Sequence, residues 1–117
     1  MIVQAGTNEL LTARSPEETF TGITALWDGV AAAGAKPIAA LVPPSDKTPS
    51  AVIELNELIR QEAKTRDIPI LDVYRPVAAQ DGSWADGHSG DGLHADREAS
   101  DTMAAAALRQ VQQITSK

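Results

Sequence analysis

The chain has 117 residues, 43% hydrophobic but only 3% aromatic, so its core must be Ala, Val, Ile and Leu packing rather than stacked rings. Ten Lys and Arg against 16 Asp and Glu give a net charge of −6 with no basic run, a poor match to nucleic acid or to an anionic membrane surface. There is no cysteine, which excludes disulfides, thiolate nucleophiles and Cys-ligated zinc, and no stretch approaches the roughly 18 apolar residues of a membrane span. The length is that of one domain, expected to cover residues 1–117.

Residues 2–5 form a short apolar run that stops at Gly6 and reads as a buried strand, followed by a turn over Gly6-Thr7-Asn8-Glu9. Ser15-Pro16-Glu17-Glu18 combines a capping serine, a proline at the first helical position and a capping-box glutamate. The helix it starts carries Phe20, Ile23, Trp27, Val30 and Ala31 as an inward stripe and ends at Gly34. Residues 37–42 give a second strand closed by Pro43-Pro44. Thr48-Pro49 then starts a second helix with Val52, Leu55, Leu58 and Ile59 inward, fraying near Thr65. Residues 69–74 give a third strand. From residue 75 to about 98 the chain is polar and rich in Asp-Gly pairs, a length of loop that is usually functional or disordered. A last helix turns Met103, Ala107, Val111 and Ile114 inward.

Strands alternating with crossover helices imply a parallel sheet with helices on both faces, a three-layer α/β/α sandwich. Sites in such folds form beyond the carboxyl ends of the strands. Two segments there carry chemistry. In Asp91-Gly92-Leu93-His94 a carboxylate three residues before an imidazole can accept from one ring nitrogen, leaving the other to take a proton from a nucleophile. In Gly6-Thr7-Asn8 the amide can donate to a developing oxyanion, while Gly6 permits close approach of the backbone. Either segment alone is common in solvated loops and turns.

Together, in this order, they resemble the SGNH (GDSL-type) hydrolase family. Gly6-Thr7-Asn8-Glu9 looks like its Gly-x-Asn-Asp block, with Glu9 in place of the usual Asp. Asp91-Gly92-Leu93-His94 looks like its Asp-x-x-His block. Pro43-Pro44 and Asp72-Val73-Tyr74 also fit its habits, and the resemblance spans roughly the last two-thirds of a family domain with a flavodoxin-like parallel sheet. It implies a serine esterase or acylhydrolase: His94 the general base, Asp91 its orienting partner, Asn8 an oxyanion donor, Gly6 the shaper of the turn. The substrate would be an ester, thioester or acetylated sugar, cleaved through an acyl-enzyme.

The family's Gly-Asp-Ser nucleophile block has no counterpart in these residues. Ser15 and Ser100 look like helix-start residues, Ser45 and Ser50 belong to the second strand-to-helix connection, and Ser116 is terminal. Ser83 and Ser89 lie in the His94 loop without the strained elbow that presents an activated hydroxyl. Asp86, His88, Asp91, His94 and Asp96 also admit a divalent-metal reading. The base-and-carboxylate reading already uses two of them, so no metal and no cofactor is expected, and His88 is taken as an exposed bystander. Trp27 is expected in the core, Trp84 at a pocket or at the core's edge.

Without the family's preceding strand, residues 2–5 become a bare apolar edge of the kind that recruits another chain. Self-association around that strand, or a complementing polypeptide, is therefore expected. The alternative to a hydrolase is a catalytically silent module kept for oligomerisation or interaction.

Overall fold

The structure, a computed structural model, describes residues 1–116. Three short strands, β1 (Ile2–Val3), β2 (Ile38–Ala40) and β3 (Ile70–Leu71), form one sheet in the order β1-β2-β3. Both pairings are parallel, Ile2 opposite Ile38 and Ala39 opposite Ile70. Four helices connect and follow them: α1 (Thr7–Leu11), α2 (Pro16–Ala32), α3 (Pro49–Thr65) and α4 (Arg97–Thr115).

Side chains alternate across a strand, and β2 divides the core accordingly. Ala39 and Leu41 face α2 and α3, packing with Ile23, Trp27, Val52, Leu55, Ile59 and Ala63. Ile38 and Ala40 face the other way, with Leu71 and Val73, against Met103, Ala107 and Val111 of α4. Helices thus cover both sheet faces, as the alternating pattern predicts. Small residues at 39 and 40 let the helices approach closely, which suits a core almost without rings.

Past the ends of β2 and β3 the backbone is satisfied by helix side chains. Asn56 of α3 is fully buried; its Oδ1 accepts from the Val42 N–H at 2.7 Å and its Nδ2 donates to the Val42 carbonyl at 3.0 Å. Gln110 of α4 does the same for Asp72 beyond β3, at 2.6 and 2.8 Å. Each amide stands in for a neighbouring strand.

Several further features depart from the sequence expectation. Residues 6–9 are not a plain turn: Gly6 caps α1 at φ 133°, and Leu10 of that short helix is buried in the core. Thr48 occupies the cap position of α3 without a side-chain cap bond; the buried Ser45 hydroxyl accepts from the Lys47 and Thr48 amides instead, both at 3.2 Å. Asp96, not Ser100, caps α4, accepting from the Ala99 N–H at 2.7 Å. Ser15 caps α2 as predicted, accepting from the Glu18 N–H. In the α2 stripe Ile23 and Trp27 are buried and Phe20 and Val30 pack beside them, whereas Ala31 is exposed and Thr19 is buried in its stead. Leu58 of α3 is only half-buried.

Candidate active site

All three strands run parallel, so the segments that follow them leave the same sheet edge. Gly6 follows β1. A Cβ there would lie 2.9 Å from Leu55 Cδ2 and 3.0 Å from Val42 Cγ2, and the backbone is in the region that L side chains rarely adopt. Glycine lets the chain press onto the core and turn at once into α1. That turn puts Asn8 in the first turn of α1 with its side chain exposed. Gly6 and Asn8 share a shallow cavity of about 340 Å³ with Gln4, Ala5, Thr7, Glu9 and Pro43, the last from the connection after β2.

Asp91 and His94 lie in the long connection between β3 and α4. One carboxylate oxygen of Asp91, Oδ2, is 2.7 Å from His94 Nδ1. The other, Oδ1, accepts from the backbone N–H groups of Leu93 and His94, both at 2.8 Å. The His94 backbone donor, then its ring, then the Leu93 donor hold the Asp91 carboxyl well below the usual carboxylate range. An ionised Asp91 fixes the hydrogen on Nδ1 and leaves Nε2 as a lone-pair acceptor. The imidazole is 82% exposed, so Nε2 faces solvent from the rim.

Neither Asp91 nor His94 lines the Asn8 cavity, but the connection between β2 and α3 touches both segments. Pro43 lines the Asn8 cavity. Three residues on, the Asp46 N–H donates to the Gly92 carbonyl at 2.8 Å, and Asp46 Oδ1 accepts from the Trp84 N–H at 3.0 Å. The Ser45 N–H donates to the Gly82 carbonyl at 3.1 Å. The polar loop is therefore folded back on itself, with an antiparallel bridge between Ala78 and Trp84, and fastened to the start of α3. Asp46 and Asn56 were not singled out from the sequence, and Ser45 was weighed only as a nucleophile and placed in the second strand-to-helix connection. A serine three residues before the Thr48 cap and a lone Asn among the inward positions of α3 were the available signals.

Other candidates fall elsewhere. The Ser83 hydroxyl bonds Asp81. The Ser89 hydroxyl donates to the His94 backbone carbonyl at 2.6 Å and accepts from the Gly92 N–H, so it is part of the loop's frame. Asp86, His88, Asp91, His94 and Asp96 do not gather as a three-ligand group among the described residues. His88 is no exposed bystander: it is half-buried, and its Nδ1 is shielded with no partner among the described residues, because the loop closes over it through the Asp96 N–H to His88 carbonyl bond. Trp84 is buried with Val77 and Ala99 in a small core under the loop. Trp27 is in the core as expected, with the Arg66 guanidinium 5.8 Å from its ring centre. No described helix is long and apolar enough to cross a membrane.

The sequence model of the GDSL-like lipase/acylhydrolase family matches residues 1–101. No curated protein matches the chain. A GDSL-like lipase from Bacteroides thetaiotaomicron superposes with a TM-score of 0.85 at 25% identity, covering 97% of this chain and 62% of its own. A provisionally assigned acylhydrolase from Bacteroides fragilis superposes at 0.82 and 23% identity, over 99% and 62%. A member of the lipolytic G-D-S-L family from Veillonella parvula does so at 0.76 and 22%, over 92% and 60%. The last two likenesses speak to the fold alone, and the chain spans about three-fifths of the length of each of these proteins. With the family match extending from β1 through the Asp91–His94 turn into α4, the chain belongs to the GDSL-like lipase/acylhydrolase family.

Proposed function

We propose that this chain supplies the general base and the oxyanion donor of a serine ester hydrolase acting on a small-molecule ester. The 2.7 Å contact between Asp91 Oδ2 and His94 Nδ1, with Asp91 Oδ1 held by two backbone donors, carries the reading. Nε2 takes the proton of a serine hydroxyl as its oxygen bonds to the ester carbonyl carbon. Asp91 stabilises the imidazolium that forms. The carbonyl oxygen, now negative, accepts from the Asn8 side-chain amide, which Gly6 and α1 hold at the rim. When the tetrahedral species collapses, the C–O bond breaks and His94 returns the proton to the departing alcohol. Water, deprotonated by the same imidazole, then releases the acid and restores the serine. The chemistry calls for no cofactor.

No serine of these residues is assigned as the nucleophile in this reading. The nucleophilic serine belongs to a Gly-Asp-Ser segment, in the same gene product or in a complementing chain. The test is hydrolysis of p-nitrophenyl acetate by the 117-residue chain, alone and with a Gly-Asp-Ser segment added before Met1, each beside its His94→Ala variant. Hydrolysis that appears with the segment and vanishes with His94→Ala supports the reading. Hydrolysis unaffected by His94→Ala, or none in any form, overturns it, and in the second case leaves the silent interaction module.

A further inference from the structure

Asp46 fastens the Asp91–His94 turn to the connection before α3, although it lies 45 residues before Asp91 in sequence. Its backbone follows a buried, hydrogen-bonded neighbour. Ser45 beside it is 1% exposed, and the Ser45 hydroxyl accepts from the amides of Lys47 and Thr48, locking the turn into α3. From there Asp46 reaches two separate points of the polar loop. Its N–H donates to the Gly92 carbonyl at 2.8 Å, in the middle of the four-residue turn that Asp91 closes. Its Oδ1 accepts from the Trp84 N–H at 3.0 Å, and the Trp84 ring is buried in the small core beneath the loop.

Gly92 is shaped for this contact. It has φ 81°, and a Cβ on it would stand 3.0 Å from Asp46 Cβ and 3.1 Å from Asp46 Oδ2. Glycine leaves room for the Asp46 side chain at that backbone. Gly82, at the other end of the fold-back, is pressed onto Pro49 in the same way, with φ 93° and a Cβ position 2.8 Å from the Pro49 carbonyl carbon. The loop thus has two seats on the start of α3, and the one nearer His94 is made by Asp46.

We infer that the Asp46 carboxylate is the positioning group for the His94 base: the main-chain N–H of residue 46 seats Gly92 whatever the side chain, and Oδ1, by holding the Trp84 N–H, keeps the rest of the loop in register with that seat and so sets where the Asp91–His94 turn stands. This rests on the proposed hydrolase reading for its purpose but not for its measurement. Hydrogen-bond geometry, not the charge of Asp46, does the work, so two conservative variants should behave oppositely. Asp46→Asn keeps an Oδ1 acceptor at the same reach. Asp46→Glu keeps the charge but carries its oxygens one methylene farther, into Gly92.

The test is the ring 15N spectrum of His94 in the 117-residue chain, which reports how strongly the hydrogen is confined to Nδ1 by Asp91. Wild type and Asp46→Asn should show the Nδ1–H tautomer in similar excess. Asp46→Ala and Asp46→Glu should lower the ratio of Nδ1–H to Nε2–H by about fivefold, within what one lost hydrogen bond can do. If Asp46→Ala fails to fold, the opposed pair Asp46→Asn and Asp46→Glu still decides. A wild-type tautomer ratio in Asp46→Glu, or a ratio lowered as far in Asp46→Asn as in Asp46→Glu, overturns the inference. Failure of the hydrolase reading would show separately, as ester hydrolysis indifferent to His94→Ala.

Discussion

Asp91 illustrates how much one side chain does when both its oxygens are used. Oδ1 shapes the turn through two backbone amides, and Oδ2 orients a ring. Its folded pKa lies below that of the unfolded chain, near 3.9. The contribution of the turn is therefore fully present above about pH 4 and is lost as pH falls through the depressed folded value. The 13C resonance of the Asp91 carboxyl carbon should show its protonation step only below about pH 4. Asp91→Asn, with no charge to lose, should remove that acid step. Gly6 carries the opposite kind of constraint. Gly6→Ala imposes a Cβ at 2.9 Å from Leu55 on a backbone at φ 133°, and should destabilise by about 3 kcal/mol in urea unfolding.

At the scale of elements, helix side chains satisfy the backbone past the ends of β2 and β3. Asn56→Ala strands the Val42 N–H and carbonyl in the core and should cost about 3 kcal/mol, read as a lower urea midpoint at unchanged slope. The long elements were legible in the sequence because they carry repeated cues. Ser15-Pro16 with Glu18 marks the α2 start as the structure has it, and the two covered sheet faces follow from the alternation of strands with crossover helices. The misread elements depend on partners distant in sequence. The α1 helix forms because Leu10 finds a core pocket, and the loop of residues 78–96 is ordered by Ser45 and Asp46, 37 residues before their partners Gly82 and 38 before Trp84. The same holds within the site: the local pair Asp91 and His94 was readable from its spacing, whereas Asp46 has no local motif to announce it.

For the molecule as a whole, the sheet is three parallel strands with β1 at one edge. Ile2 is 49% exposed there, with Met1 and Leu26 also open to solvent. An apolar edge with unpaired backbone groups favours strand addition. Sedimentation of the 117-residue chain should show concentration-dependent dimerisation, weakened by Ile2→Lys; a monodisperse monomer at high concentration would refute edge pairing. The larger claim is that the rim after β1 and the rim after β3 serve one reaction. A double-mutant cycle of Asn8→Ala and His94→Ala, on ester hydrolysis by the chain bearing a Gly-Asp-Ser segment, tests it most directly. If both act on one transition state, Asn8→Ala costs on the order of 10²-fold in kcat when His94 is present and far less once His94 is gone. An Asn8→Ala chain as fast as its parent, or the same loss with and without His94, would contradict a shared centre.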